Sequence, residues 1–249
     1  MTTKRAAACD LLVLCGGLGT RLRSVVSDRP KPMAMIDERP FVDFVIEHFS
    51  RYGIDRIILG TGYLGNQVDE WYSERPHSYE LLFSHEKSPL GTAGALRQAA
   101  GLLRSDPFMV VNGDSLIDVD PEALLEFHAT KGGCASVTLV NPSARTDVGF
   151  VSIAPDARIT DFSEKHSDAL SRFHNAGVYV FERSLVERLP AHRPCSIETD
   201  LLPALLSRGV FGFFSDAPLY DIGTPERLEG FRTSRRTLCA GSQAKQEPR

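Results

Sequence analysis

No apolar run in this 249-residue chain approaches the roughly 20 residues that a membrane-spanning helix needs, so no membrane partner is expected. Cysteine is scarce and unpatterned. Cys9, Cys15, Cys134, Cys195 and Cys239 are odd in number and scattered, without C-x-x-C spacing. That excludes a disulfide framework or a cysteine zinc site and predicts reduced thiols in a cytoplasmic protein. A surplus of one charge is also missing: 28 Lys and Arg against 32 Asp and Glu leave a net charge of −4. A broad nucleic-acid-binding face is therefore not expected. The seven histidines show no metal-ligand spacing. No repeat or hexapeptide pattern is present, so a β-helix appendage is not expected. Lys4-Arg5, three alanines and the apolar run ending at Cys15 faintly imitate a secretory leader. Asp10 interrupts that run and Leu14 is too bulky for a cleavage site, so secretion is rejected.

What is present concentrates near the start of the chain. The apolar run Leu11–Leu14 ends in three glycines within four residues, Gly16, Gly17 and Gly19, followed by Thr20, Arg21 and Leu22. About ten residues later comes Pro30-Lys31-Pro32-Met33. A buried strand that stops at a glycine-rich turn lets backbone N–H groups approach an anion without Cβ interference. Arg21, Arg23 and Lys31 bring the charge that a polyphosphate needs. The glycine spacing fits neither G-x-G-x-x-G nor a P-loop, so this is another kind of phosphate turn.

The rest of the first half alternates. Helical periodicity covers residues 41–52, with Pro40 near its start and Gly53 as its stop. Strands are read at 54–59, 79–83 and 108–111, and helices at 64–72, from a Thr92 cap to about 103, and from Asp120-Pro121 to about 130. This rhythm predicts an α/β fold: a doubly wound, mostly parallel, Rossmann-like sheet with helices on both faces and ligands at the carboxyl ends of its strands. After Gly133 the pattern changes to short strands at 135–140, 149–153, 158–162 and 175–181, read as a smaller mixed-sheet lobe. Helices follow at 196–206 and 224–235, the second capped by Thr224. The organisation expected is one domain over residues 1–237, with a first half at about 10–133 and a second half at about 134–237. The polar tail at 238–249 has little to bury and reads as disordered.

Taken together, G-G-x-G-T-R-L at Gly16–Leu22 and P-K-P-M at residues 30–33 resemble the signature of the sugar-nucleotidyltransferase (nucleoside-diphosphate-sugar pyrophosphorylase) family. Further segments extend the resemblance over about residues 10 to 235. Asn112-Gly113-Asp114 is similar to the family's metal-binding motif, and Tyr220-Asp221-Ile222-Gly223-Thr224-Pro225 to its second metal segment, here without the upstream tryptophan. Glu86-Lys87-Ser88-Pro89-Leu90-Gly91-Thr92 resembles its nucleobase loop with one extra residue before the proline. Glu164-Lys165-His166 resembles its sugar-phosphate motif, with histidine where proline is usual, and Asn175-Ala176-Gly177 its sugar-contacting segment.

The resemblance implies transfer of a nucleotidyl group from a nucleoside triphosphate to a sugar 1-phosphate, with Mg2+ as cofactor and a homodimer as the expected assembly. It implies that Arg21, Lys31 and Lys165 do the catalytic work and that Asp114 and Asp221 hold the metal. The nucleotide falls to Leu14, Gly16, Gly17, Gly19, Thr20, Arg21, Glu86, Pro89, Gly91, Thr92, Asn112 and Asp114. The sugar phosphate falls to Gly149, Glu164, Lys165, Asn175, Gly177 and Glu198; Glu198 and Asp200 can equally favour a helix N-terminus. Relatives that use thymine or uracil usually carry Gln where Glu86 falls. A carboxylate there suits guanine, whose N1–H and amino group are two donors on one edge, which favours GTP. The Ser24-Val25-Val26 stretch before Pro30 is most similar to members that act on D-glycero-α-D-manno-heptose 1-phosphate for surface-polysaccharide synthesis. The alternatives are a mannose 1-phosphate guanylyltransferase, a uridylyl or thymidylyl relative, and a non-catalytic nucleotide-sugar-binding regulatory protein.

Overall fold

Apolar residues on both faces of a strand demand cover on both sides, and β1 (Leu11–Leu14) is the clearest case. Leu11 and Val13 pack into one core and Leu12 into another, all with no exposed surface. The computed structural model describes residues 6–17, 19–22, 24–142, 150–163, 172–189 and 194–243. After β1 a small ribbon, β2 (Met35–Ile36) and β3 (Arg39–Pro40), leads into α1 (Phe41–Ser50). There follow β4 (Arg56–Thr61), α2 (Gly65–Ser73), β5 (Glu80–His85) and α3 (Gly91–Ala99). Next come β6 (Phe108–Asn112), β7 (Ser115–Ile117) and α4 (Pro121–Lys131). The second half holds β8 (Ala135–Val140), β9 (Phe150–Ile153), β10 (Ile159–Ser163) and β11 (Arg172–Phe181). It closes with α5 (Leu202–Leu205), β12 (Val210–Ser215), β13 (Leu219–Asp221) and α6 (Pro225–Gln243).

β1 lies between β6 and β4, parallel to both, and β5 extends the parallel run beyond β4. Side chains from α1, α2, α4 and α6 share the core of Leu11 and Val13, while those of α3 and α5 share that of Leu12. The doubly wound expectation therefore holds. The mixed strands extend this same sheet: β11 pairs antiparallel with β6 and β8, and β12 runs parallel to β8. β11 is long enough to pair with β6 through its last four residues and with β9 through its first three. Between those two partners its register shifts, at Asn175 to Tyr179.

Three local expectations differ from the structure. Thr92 does not cap α3: the residue before the helix is Leu90, and no side chain caps it. Residues 196–206 are not one α-helix. A π turn at Ile197–Leu201 precedes α5, because Pro203 has no N–H to continue an α-helical ladder. The polar segment from 238 continues α6 as far as Gln243, propagating from the helix that Leu228 and Phe231 anchor in the core. Residues such as Leu238 and Ala240 carry little helix penalty. Asp120 does cap α4, accepting from the backbone N–H of Glu122 at 2.9 Å.

One buried charge fastens the start of β1. Asp10 is 3% exposed; its Oδ1 meets the Arg56 guanidinium at 3.2 Å and its Oδ2 accepts from the N–H of Ser105 at 2.9 Å and from that of Arg104. Without the Asp10 carboxylate the N–H groups of Arg104 and Ser105 lose their acceptor, while Arg56 keeps Glu80 and the Leu102 carbonyl, so Asp10→Ala is expected to cost about 1–3 kcal/mol of stability. The urea midpoint of unfolding, compared with wild type, measures it.

Candidate active site

Three backbone crossings at the carboxyl end of β1 leave no room for side chains. A Cβ on Gly16 would lie 2.4 Å from Glu86 Oε1. One on Gly113 would lie 2.9 Å from both the Leu14 carbonyl and Cys15 Sγ, and the Gly113 N–H donates to that carbonyl at 3.0 Å. Gly19 has φ +56° and its Cβ would lie 2.9 Å from that of Lys31. The glycine-rich turn is therefore pressed against a carboxylate on one side and a lysine on the other. Around it opens a cleft of about 510 Å³ at the carboxyl ends of the parallel strands. All twelve residues assigned to the nucleotide from the sequence line it, together with Lys31 and Gly223. Arg21, exposed on a short 3₁₀ turn at Thr20–Leu22, lies on its rim.

At one end of the cleft, Glu86 follows β5 and its N–H donates to the Thr61 carbonyl at 2.7 Å. Its Oε2 accepts from the Leu90 N–H at 2.8 Å, while Oε1 faces Gly16. Burial raises the Glu86 carboxyl above its ordinary range, only partly offset by the Leu90 N–H. The loop that follows is tied to a distant segment. The Cys195 carbonyl accepts from the N–H groups of Ala93 and Gly94 at the start of α3, and the Cys195 N–H donates to the Leu90 carbonyl. Gly91, at φ +73°, fits there because a Cβ would lie 2.5 Å from the Cys195 oxygen.

At the other end Asp114 lines the cleft, and Asp221 stands behind Gly223, which lines it too. Gly113 places Asp114 over the end of β1, where burial and then that carboxylate push the Cys15 thiol far above its ordinary range. The ribbon β7–β13 aligns Asp221 opposite Ser115, and the Ile222 N–H donates to the Asp114 carbonyl at 3.1 Å. Strand pairing thus brings together two aspartates that are remote in sequence. Asp114 is ion-paired with Lys31. Asp221 Oδ1 accepts from the Gly223 N–H at 2.9 Å and from Arg227 Nη1 at 3.0 Å. Among the described residues no group of three or more His, Cys, Asp or Glu side chains clusters for a metal. Two carboxylates beside the cleft nevertheless suit Mg2+, which takes hard oxygen ligands and keeps several waters.

Asn175 and Glu198, two of the residues expected to meet the sugar, belong to one hydrogen-bonded chain where β11 shifts register. Gly177, at φ +74°, would meet the Asn112 amide 2.7 Å from a Cβ. Asn175 Oδ1 accepts from the Gly177 N–H at 2.9 Å, and its Nδ2 donates to the Tyr179 hydroxyl at 2.8 Å. That hydroxyl donates to Glu198 Oε1 at 2.9 Å, and Glu198 Oε2 accepts from Thr92 at 3.1 Å and Ser196 at 2.9 Å. Burial, then Glu198, holds the Tyr179 phenol well above its usual range. Asp200 instead accepts from the Ser196 N–H. Gly149, Glu164 and Lys165 lie outside the described residues. Sequence reasoning missed Tyr179 and Arg227. The first reads as an ordinary strand aromatic and the second as a helix-surface charge, and neither belongs to a recognisable motif.

Comparison with known proteins agrees with this geometry. The family model described as nucleotidyl transferase matches residues 11–233. A D-glycero-alpha-D-manno-heptose 1-phosphate guanylyltransferase from Aneurinibacillus thermoaerophilus is 36% identical over 87% of this chain and 94% of its own length. A mannose-1-phosphate guanylyltransferase from Mycobacterium tuberculosis is 35% identical over 87% of this chain, which spans 62% of that longer protein. The crystal structure of HddC from Yersinia pseudotuberculosis, complexed with GMP-PN, superposes with a TM-score of 0.79 at 30% identity, covering 91% of this chain and 99% of HddC. With the family model matching residues 11–233 and a relative 36% identical over 94% of its own length, the chain belongs to the nucleotidyl transferase family.

Proposed function

We propose that this protein transfers GMP from GTP to D-glycero-α-D-manno-heptose 1-phosphate, releasing pyrophosphate and giving the GDP-heptose. The observation that carries this is the single cleft joining Glu86, the glycine turn, Lys31 and Asp114. Glu86 lines the cleft, with Oε1 against Gly16 and Oε2 engaged by the Leu90 N–H. A carboxylate there accepts from guanine N1–H and its amino group; uracil or thymine would oppose it with carbonyls, leaving groups unpaired at about 1–3 kcal/mol each. Arg21 and the amides around Gly16, Gly17 and Gly19 hold the β- and γ-phosphates. The sugar-phosphate oxygen attacks the α-phosphorus in line, the bond to the bridging oxygen breaks, and pyrophosphate departs.

Lys31 leaves Asp114 to neutralise charge near the α-phosphate, and Lys165 orients the attacking phosphate. Asp114 and Asp221 would hold Mg2+, which when bound neutralises phosphate charge and stabilises the departing pyrophosphate. Asn175, Gly177 and Glu198 form the wall for the sugar. The near-equal identity to the mannose 1-phosphate enzyme makes that sugar the second reading.

Pyrophosphate release measured over four nucleoside triphosphates and several sugar 1-phosphates should give the highest kcat/KM for GTP with the heptose. A preference for UTP or dTTP would overturn the base assignment, and one for mannose the sugar assignment. Asp114→Ala should lower turnover about 10²–10³-fold; near-normal release would remove Asp114 from the chemistry. The raised Glu86 carboxyl gives a pH signature. Its ionised form accepts from guanine, so GTP binding is complete above that raised value and is lost as pH falls through it. The KM for GTP should climb on acidification before ordinary carboxylates protonate, and Glu86→Gln should flatten that climb.

A further inference from the structure

Arg227 has no part in any motif, yet its guanidinium lies beside Gly223, which lines the cleft. It lies in the first turn of α6, where its N–H donates to Thr224 Oγ1 at 3.4 Å. Its guanidinium turns back to Asp221, donating to Oδ1 at 3.0 Å, the same oxygen that accepts from the Gly223 N–H. The Asp221 and Arg227 side chains are only 11% and 26% exposed, so solvent screens the pair weakly. A Cβ at Gly223 would lie 2.8 Å from Asp221 Oδ1, 3.2 Å from Arg227 Nη1 and 3.6 Å from Lys31 Nζ. Lys31 in turn is paired with Asp114. Two cations and two carboxylates thus converge on one glycine that lines the cleft.

We propose that Arg227 is a positioning residue that holds Asp221 in the nucleotide-free protein and competes with the divalent cation for it. This rests on the reading of Asp114 and Asp221 as metal ligands. The physical basis is charge balance. A divalent cation entering the free site meets carboxylates already neutralised by Lys31 and Arg227, and repulsion between cations a few ångströms apart opposes its entry. Deprotonation cannot relieve this, because a guanidinium stays charged. Arg227 yields only by turning away, and phosphate oxygens, which match its planar fork, are the natural new partner. A nucleoside triphosphate supplies such oxygens and also offers Lys31 a phosphate in place of Asp114. Cation affinity should therefore be low in the free protein and rise when nucleotide fills the cleft, with Arg227 setting much of the difference.

Mn2+ serves as the probe, its protein-bound fraction read by water-proton relaxation enhancement, with nucleotide-only controls. Wild type, Arg227→Met and Arg227→Lys are titrated as full chains, without nucleotide and with a non-hydrolysable GTP analogue. Without nucleotide, Arg227→Met should bind Mn2+ about tenfold tighter than wild type, because the competing charge is gone. Arg227→Lys should stay close to wild type. With the analogue present, the three proteins should converge. A purely structural role for Arg227 would give Arg227→Met equal or weaker affinity in the free state, and that result overturns the proposal. A rise in Mn2+ affinity on adding the analogue that is equally large in all three proteins overturns it while leaving the metal reading intact. Absence of protein-bound Mn2+ even with the analogue overturns both.

Discussion

Everything at the site depends on how closely the backbone can be crowded around the end of β1. Gly113 must ride on the Leu14 carbonyl for Asp114 to stand over the strand, and Gly16 must lie under Glu86 for the base-side carboxylate to reach the same cleft. Gly19 must take a left-handed turn against Lys31. A Cβ at any of these points would push apart groups that the fold holds around one cleft. The glycines are therefore less a flexible loop than a set of contact points, each letting one neighbouring group come closer than a side chain would allow. The parallel pairing of β1 with β4 and β6 supplies the rigid platform under them.

Much of this was legible in the amino-acid order because the relevant signals are local. A continuous apolar run means a strand covered on both faces, and Leu11–Leu14 is one. Asp120 before Pro121 means a capped helix, and α4 is one. The twelve residues assigned to the nucleotide, which line one cleft, lie in three short segments, and each segment carries its own turn chemistry. Failures came where distant segments decide. Thr92 has the local look of a helix cap, but its hydroxyl accepts from the Ile197 N–H and donates to Glu198, across more than a hundred residues. Pro203 converts an apparently regular helix into a π turn and a short α turn.

Tyr179 and Arg227 illustrate the same limit from the opposite side. Both are polar groups whose importance arises from a single partner carboxylate, Glu198 and Asp221 respectively. Nothing in the spacing of either sequence neighbourhood announces that partner. It is set by the register shift in β11 and by the return of α6 from β13. Motifs mark where a ligand meets the backbone; the residues that hold motif side chains in place are scattered, and only the fold collects them.

The stitching of the base loop to Cys195 has a further consequence. The first turn of α3 lacks a cap of its own and borrows a carbonyl from a segment more than a hundred residues downstream. The shape of the loop that carries Glu86 is thus a property of two separated stretches rather than of one. Three backbone hydrogen bonds tie them, so a change of length or path around Cys195 would be felt at the cleft without any lining residue being altered.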